Sequence, residues 1–108
     1  MEPLLVLTNV PDQAVAEKLA RALVESRAAA CVNVLAGCRS IYRWQGEVET
    51  AAEIPVLIKS TTANYAAVEK IVRAQHPYDM PELIAIPITH GMPAYLDWLG
   101  QETERPGD

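Results

Sequence analysis

Apolar positions along this chain change their period several times, and each change marks an element. Leu4 to Leu7 are consecutive within an apolar run that reaches Val10, which predicts a short strand buried on both faces. Asn9-Val10-Pro11-Asp12 ends it, and Pro11 and Asp12 suit the first turn of a helix. From Asp12 to Ser26, Val15, Leu19, Ala22 and Leu23 recur at helical spacing, while Glu17, Lys18, Arg21 and Glu25 take the other faces.

The stretch from Ala28 to Gln45 is rich in branched and aromatic residues, broken only by Ala36-Gly37-Cys38, and reads as one long strand with a bend. Gln45-Gly46-Glu47 supplies a turn, and Val48 to Ser60 returns through Ile54, Val56 and Ile58, with Pro55 marking a bulge or an edge. Thr61 or Thr62 then caps a second helix carrying Tyr65, Val68, Ile71 and Val72 on one side, and Pro77 stops it after His76. Glu82 to Ile88 is a fourth strand, Pro93 to Gly100 a short third helix, and Gln101 to Asp108 a polar tail expected to fray.

The predicted order is β-α-β-β-α-β with an added C-terminal helix: an α+β fold of ferredoxin-like topology, in one domain spanning residues 1–108, with a long hairpin between its second and third strands. In this topology both helices lie on one sheet face, so a solitary molecule needs polar residues at alternate strand positions. Here Leu4 to Leu7 and Val56 to Ile58 are uninterrupted, and Ile84, Ile86 and Ile88 interleave with Leu83, Ala85 and Pro87. Leaving the helix-free face wet forgoes roughly 25 cal/mol for each Å² of apolar surface, so self-association is expected. Ile41, Tyr42 and Trp44 near the hairpin tip fit the same expectation, since joining its edges to a neighbour satisfies backbone groups and buries rings together.

Composition narrows the function. A formal net charge of −5 opposes phosphate-backbone binding, which relies on clustered Lys and Arg, so nucleic acid is not an expected partner. No apolar run is long enough to span a bilayer, and the opening Met1-Glu2-Pro3 lacks the basic flank of a secretory signal. Cys31 and Cys38, the only cysteines, would stand roughly 23 Å apart along an extended strand at about 3.3 Å per residue. Two reduced thiols in a cytoplasmic protein are therefore expected.

The candidate chemistry lies around His76-Pro77-Tyr78-Asp79-Met80-Pro81-Glu82. Two prolines restrict the loop, so His76 and Glu82 can face one cleft, and imidazole plus carboxylate suits copper(II) or zinc if further ligands complete the set. His76 can equally be a hydrogen-bonding group at a helix end. His90 would lie roughly 26 Å from Glu82 along the strand, at about 3.3 Å per residue, and is read as a surface histidine. Lys59 beside apolar residues and Arg43 between Tyr42 and Trp44 suggest cations near aromatic rings, or ordinary charged protection of a strand edge. No nucleophile elbow, phosphate-binding glycine loop or metalloprotease helix motif is present, so no enzyme activity is expected.

Three segments in register, 29–35, 40–49 and 76–83, together with Tyr95-Leu96-Asp97-Trp98-Leu99, resemble the CutA divalent-cation tolerance family over nearly the whole chain. The resemblance implies a homotrimer joined through its sheets and a role in response to divalent metals such as copper, with no obligatory cofactor. It implies metal contacts at His76 and Glu82, with Thr8 standing where some relatives carry a cysteine, which removes a soft ligand. It also places Cys31 near a subunit junction, and Tyr42, Trp44 and Lys59 are expected at the same interface or cleft. An alternative reading, by analogy with other trimeric ferredoxin-like proteins, is a signalling trimer that senses a small metabolite in the cleft between subunits.

Overall fold

The computed structural model describes residues 1–105. Its elements run β1 (Pro3–Val10), α1 (Gln13–Glu25), β2 (Cys31–Val34), β3 (Cys38–Trp44), β4 (Glu47–Thr61), a short 3-10 turn (Thr62–Asn64), α2 (Tyr65–Gln75), β5 (Ile84–Pro87) and α3 (Pro93–Glu102). The core sheet has the order β2-β4-β1-β5 with every pairing antiparallel. This is the ferredoxin-like arrangement expected from the sequence, an α+β fold with an extra C-terminal helix.

The expected long bent strand is two strands, because residues 35–37 oppose only Ile54 and Pro55 between the pairs Val34↔Val56 and Cys38↔Glu53. The Pro55 carbonyl accepts the Leu35 amide at 3.0 Å. A strand residue points its N–H and C=O to the same edge, so the donor that proline lacks faces this interruption and costs no ladder bond. Beyond it β3 and β4 continue as a hairpin that stretches the molecule to 44 × 27 × 23 Å. Trp44 pairs with Glu47 across a two-residue loop whose Gln45 and Gly46 have φ of 50° and 84°. Positive φ at both positions is what a type I′ turn demands, and glycine meets it without strain.

One sheet face is packed by α1 and α2. Val6, Val10, Val56 and Ile58 meet Ala16, Leu19, Leu23, Val68 and Val72 in a fully buried core. Asp12 caps α1 from outside its first turn, its Oδ1 accepting the Val15 amide at 2.9 Å. Neither Thr61 nor Thr62 caps α2 in this way; instead Thr61 Oγ1 accepts from Asn64 Nδ2 at 3.0 Å within the intervening turn.

The opposite face carries Leu5, Leu7, Leu57, Ile84 and Ile86, held side by side by the pairs Leu7↔Leu57, Leu7↔Ile84 and Leu5↔Ile86. Ile84 and Ile86 remain 51% and 45% exposed. Sheet register therefore produces the apolar underside that the uninterrupted runs predict.

The C-terminal tail departs from expectation. The helix α3 continues to Glu102, and Thr103 is buried, its hydroxyl donating to the Leu99 carbonyl at 2.9 Å while its own carbonyl accepts Asn64 Nδ2 at 2.9 Å. Arg27, in the left-handed region at φ 65° just past α1, donates to the carbonyls of Gln101 and Glu102 at 3.3 Å each. A cation on the carbonyl end of α3 both caps and complements that helix. The expected fraying of residues 106–108 lies outside the described residues.

Candidate functional site: a clamp and an acidic aromatic cleft

The C-terminal end of β1 organises the region where α2 stops. Asn9 presents its backbone carbonyl to His76 Nε2 at 2.6 Å and donates its side-chain amide to Glu82 Oε1 at 3.2 Å. The preceding residue, Thr8, is buried and donates its hydroxyl to the Glu82 carbonyl at 2.7 Å. Thr8, Asn9, His76 and Glu82 thus form one hydrogen-bonded clamp that ties the loop 77–83 to β1.

His76 is 7% exposed, and the Tyr78 amide donates to its Nδ1 at 3.2 Å. Because an amide N–H can only donate, Nδ1 is the acceptor and Nε2 carries the proton given to Asn9. Both ring nitrogens are therefore engaged. Glu82 is likewise engaged through one carboxylate oxygen, and among the described residues no group of three or more His, Cys, Asp or Glu is placed to hold a metal ion. This donor set does not fit a preformed metal centre: proximity matches the expectation, but the lone pair that a metal requires is already occupied.

Between the clamp and the hairpin lies a cleft of about 870 Å³, lined by Tyr42, Trp44 and Glu53 from β3 and β4 and by Tyr78, Asp79 and Glu82 from the loop. Register explains the hairpin wall, since Tyr42 pairs with Glu49, Trp44 with Glu47 and Cys38 with Glu53, placing these residues on one face. Glu53 is only 8% exposed, unlike the exposed Glu47 and Glu49. Burial foremost, then the charge of Glu53, pushes the Tyr78 hydroxyl above its ordinary pKa of 10.0. The Tyr78 ring also lies 4.7 Å from the imidazole of His76, centroid to centroid.

The residues expected at one junction fall into two places. Tyr42 and Trp44 line the cleft, whereas Cys31 and Lys59 pair with each other across β2 and β4 on the face opposite α1 and α2. Lys59 Nζ donates to Asn33 Oδ1 on that face. Arg43 alternates to the hairpin side away from Tyr42 and Trp44, so strand geometry separates its guanidinium from both rings. Both cysteines are free. His90 is exposed and contacts the Thr89 hydroxyl at 3.0 Å, apart from the clamp.

Sequence reading missed Asn9 and Glu53. A strand-end asparagine and one glutamate among several on a hairpin carry no periodic signature, and only tertiary pairing distinguishes them.

The family model described as CutA1 divalent ion tolerance protein matches residues 4–102. The divalent-cation tolerance protein CutA of Thermus thermophilus is 50% identical over 98 residues, covering 91% of this chain and 95% of that protein. A solved structure from the same species, described as a divalent cation tolerance protein, superposes with a TM-score of 0.93 at 48% identity, covering 94% of this chain and 99% of its own. The CutA structure from Archaeoglobus fulgidus, described as a periplasmic divalent cation tolerance protein, gives 0.91 at 33% identity, with 94% and 99% covered. On both sequence and fold, this chain belongs to the CutA1 divalent ion tolerance family.

Proposed function

We propose that this chain acts in divalent-cation tolerance as a homotrimeric, non-catalytic binding protein. The observation that carries the assembly is the apolar stripe Leu5, Leu7, Leu57, Ile84 and Ile86 on the sheet face opposite α1 and α2. A neighbouring copy is the economical cover for it, and closed symmetry ends the association at a finite size. The net charge of −5 and the absence, among the described residues, of any helix able to cross a membrane support a reading without nucleic-acid or membrane partners. Two free thiols support a reducing, cytoplasmic setting.

Copper or zinc binding at His76 and Glu82 is weak in this reading, because His76 must exchange the Tyr78 amide or the Asn9 carbonyl for the ion, and Thr8 supplies no thiolate. Calorimetric titration of tag-free protein with copper(II) and zinc(II) tests it. A weak, saturable heat that disappears in His76→Ala and Glu82→Ala supports the assignment. An unchanged response in both variants removes these residues from it.

A further inference from the structure

We propose that the cleft between the β3–β4 hairpin and the loop 77–82 is a binding site for a small organic cation of the quaternary amine class. The cleft is built by one chain, so this inference does not depend on trimerisation or on metal binding.

Size and composition carry the argument. Small-molecule sites typically enclose about 300–1,000 Å³, and this cleft measures about 870 Å³. Its walls include three aromatic residues, Tyr42, Trp44 and Tyr78, from two separate elements. Aromatic faces attract organic cations through their quadrupoles, most strongly where water is partly excluded. Three carboxylates, Glu53, Asp79 and Glu82, line the same space, and none of the described lining residues is Lys or Arg. Glu47 and Glu49 sit opposite Trp44 and Tyr42 on the hairpin, adding negative charge near its mouth.

Burial of Glu53 sets this apart from an ordinary acidic surface. The residue is 8% exposed, and among the described residues the Tyr78 hydroxyl is the group shown to interact with its carboxylate. A carboxylate normally accepts more than one hydrogen bond, so it retains capacity for a cation brought into the cleft. A compact divalent ion is a poorer match: it requires several ligands within about 2.0–2.6 Å, and no such group occurs among the described residues. A large, weakly hydrated cation with an apolar shell meets both the rings and the acids at once.

Choline and its uncharged isostere 3,3-dimethylbutan-1-ol separate charge from shape. The chain has two tryptophans, so the full-length Trp98→Phe variant reports Trp44 fluorescence alone. Choline is expected to change that fluorescence saturably, with affinity weakened on the order of tenfold in Glu53→Gln and in Tyr42→Leu. Tyr42 is 44% exposed, so Tyr42→Leu keeps the test valid should Glu53→Gln fail to fold. Equal binding of the neutral alcohol, no saturable response to choline, or unweakened binding in the folded variants would overturn the proposal.

Discussion

His76 Nε2 donates to the backbone carbonyl of Asn9 across 2.6 Å, fixing the end of α2 to the end of β1. The same ring accepts the Tyr78 amide, so this side chain turns the backbone at the point where Pro77 forbids further helix. Its first role is structural. Replacing His76 with Ala leaves the Asn9 carbonyl and the Tyr78 amide without their partner and should cost about 1–3 kcal/mol. Urea denaturation of the variant checks this, and hydrogen exchange should show faster opening of residues 77–83. Unchanged stability would mean that the imidazole is dispensable to the clamp.

Thr8 makes a second, independent link. Its hydroxyl is buried against the Glu82 carbonyl, so Thr8→Val preserves shape while removing the donor. A loss of about 1–2 kcal/mol is expected, since the buried hydroxyl's bond to a partly buried carbonyl is removed. Thr8→Ser should retain most of the bond and lose less than Thr8→Val. Thermal unfolding of the pair reads the difference, and equal losses would attribute the effect to packing alone.

Alkaline titration reports on the cleft. Tyr78 is raised above 10.0 by burial first and by Glu53 next, and Tyr65 is raised by burial and then by Glu69. A raised folded-state value favours the protonated phenol in the native state. The associated stability is therefore complete below the unfolded-state value and is lost as pH climbs through the folded-state value. Ultraviolet titration should show Tyr65 and Tyr78 as a late pair, ionising above 10.0. Glu53→Gln should bring one of the late pair back towards 10.0, and Tyr78→Phe should delete it. A profile indifferent to both substitutions would contradict the Tyr78–Glu53 contact.

Much of this architecture is legible in the residue order because periodicity reports burial. Leu19 and Leu23 mark the packed side of α1, and Gly46 marks the hairpin turn because glycine takes positive φ without strain. Leu5 and Leu7, alternating with Leu4 and Val6, disclose a sheet apolar on both sides. Where the reading failed, a long-range partner decided the outcome. The split between β2 and β3 depends on Pro55 in the opposing strand, and the ordered Thr103 depends on Asn64, far away in sequence. His76 and Glu82 were found as neighbours, but their hydrogen-bonded state depends on Asn9, which no local pattern singles out.

Ile86 tests the sheet face opposite α1 and α2 with little penalty to the isolated fold, being 45% exposed on an edge strand. Ile86→Asp should leave the far-ultraviolet circular dichroism of a folded domain and lower the particle mass. Retention of the full assembly would show that this edge lies outside the interface.

Light scattering coupled to size-exclusion chromatography of the unmodified protein bears most directly on the assembly. A particle of three times the 11.8 kDa chain mass, stable on dilution into the low micromolar range, is predicted. A monodisperse particle at the single-chain mass would contradict the account, since the apolar underside would then face water without a partner.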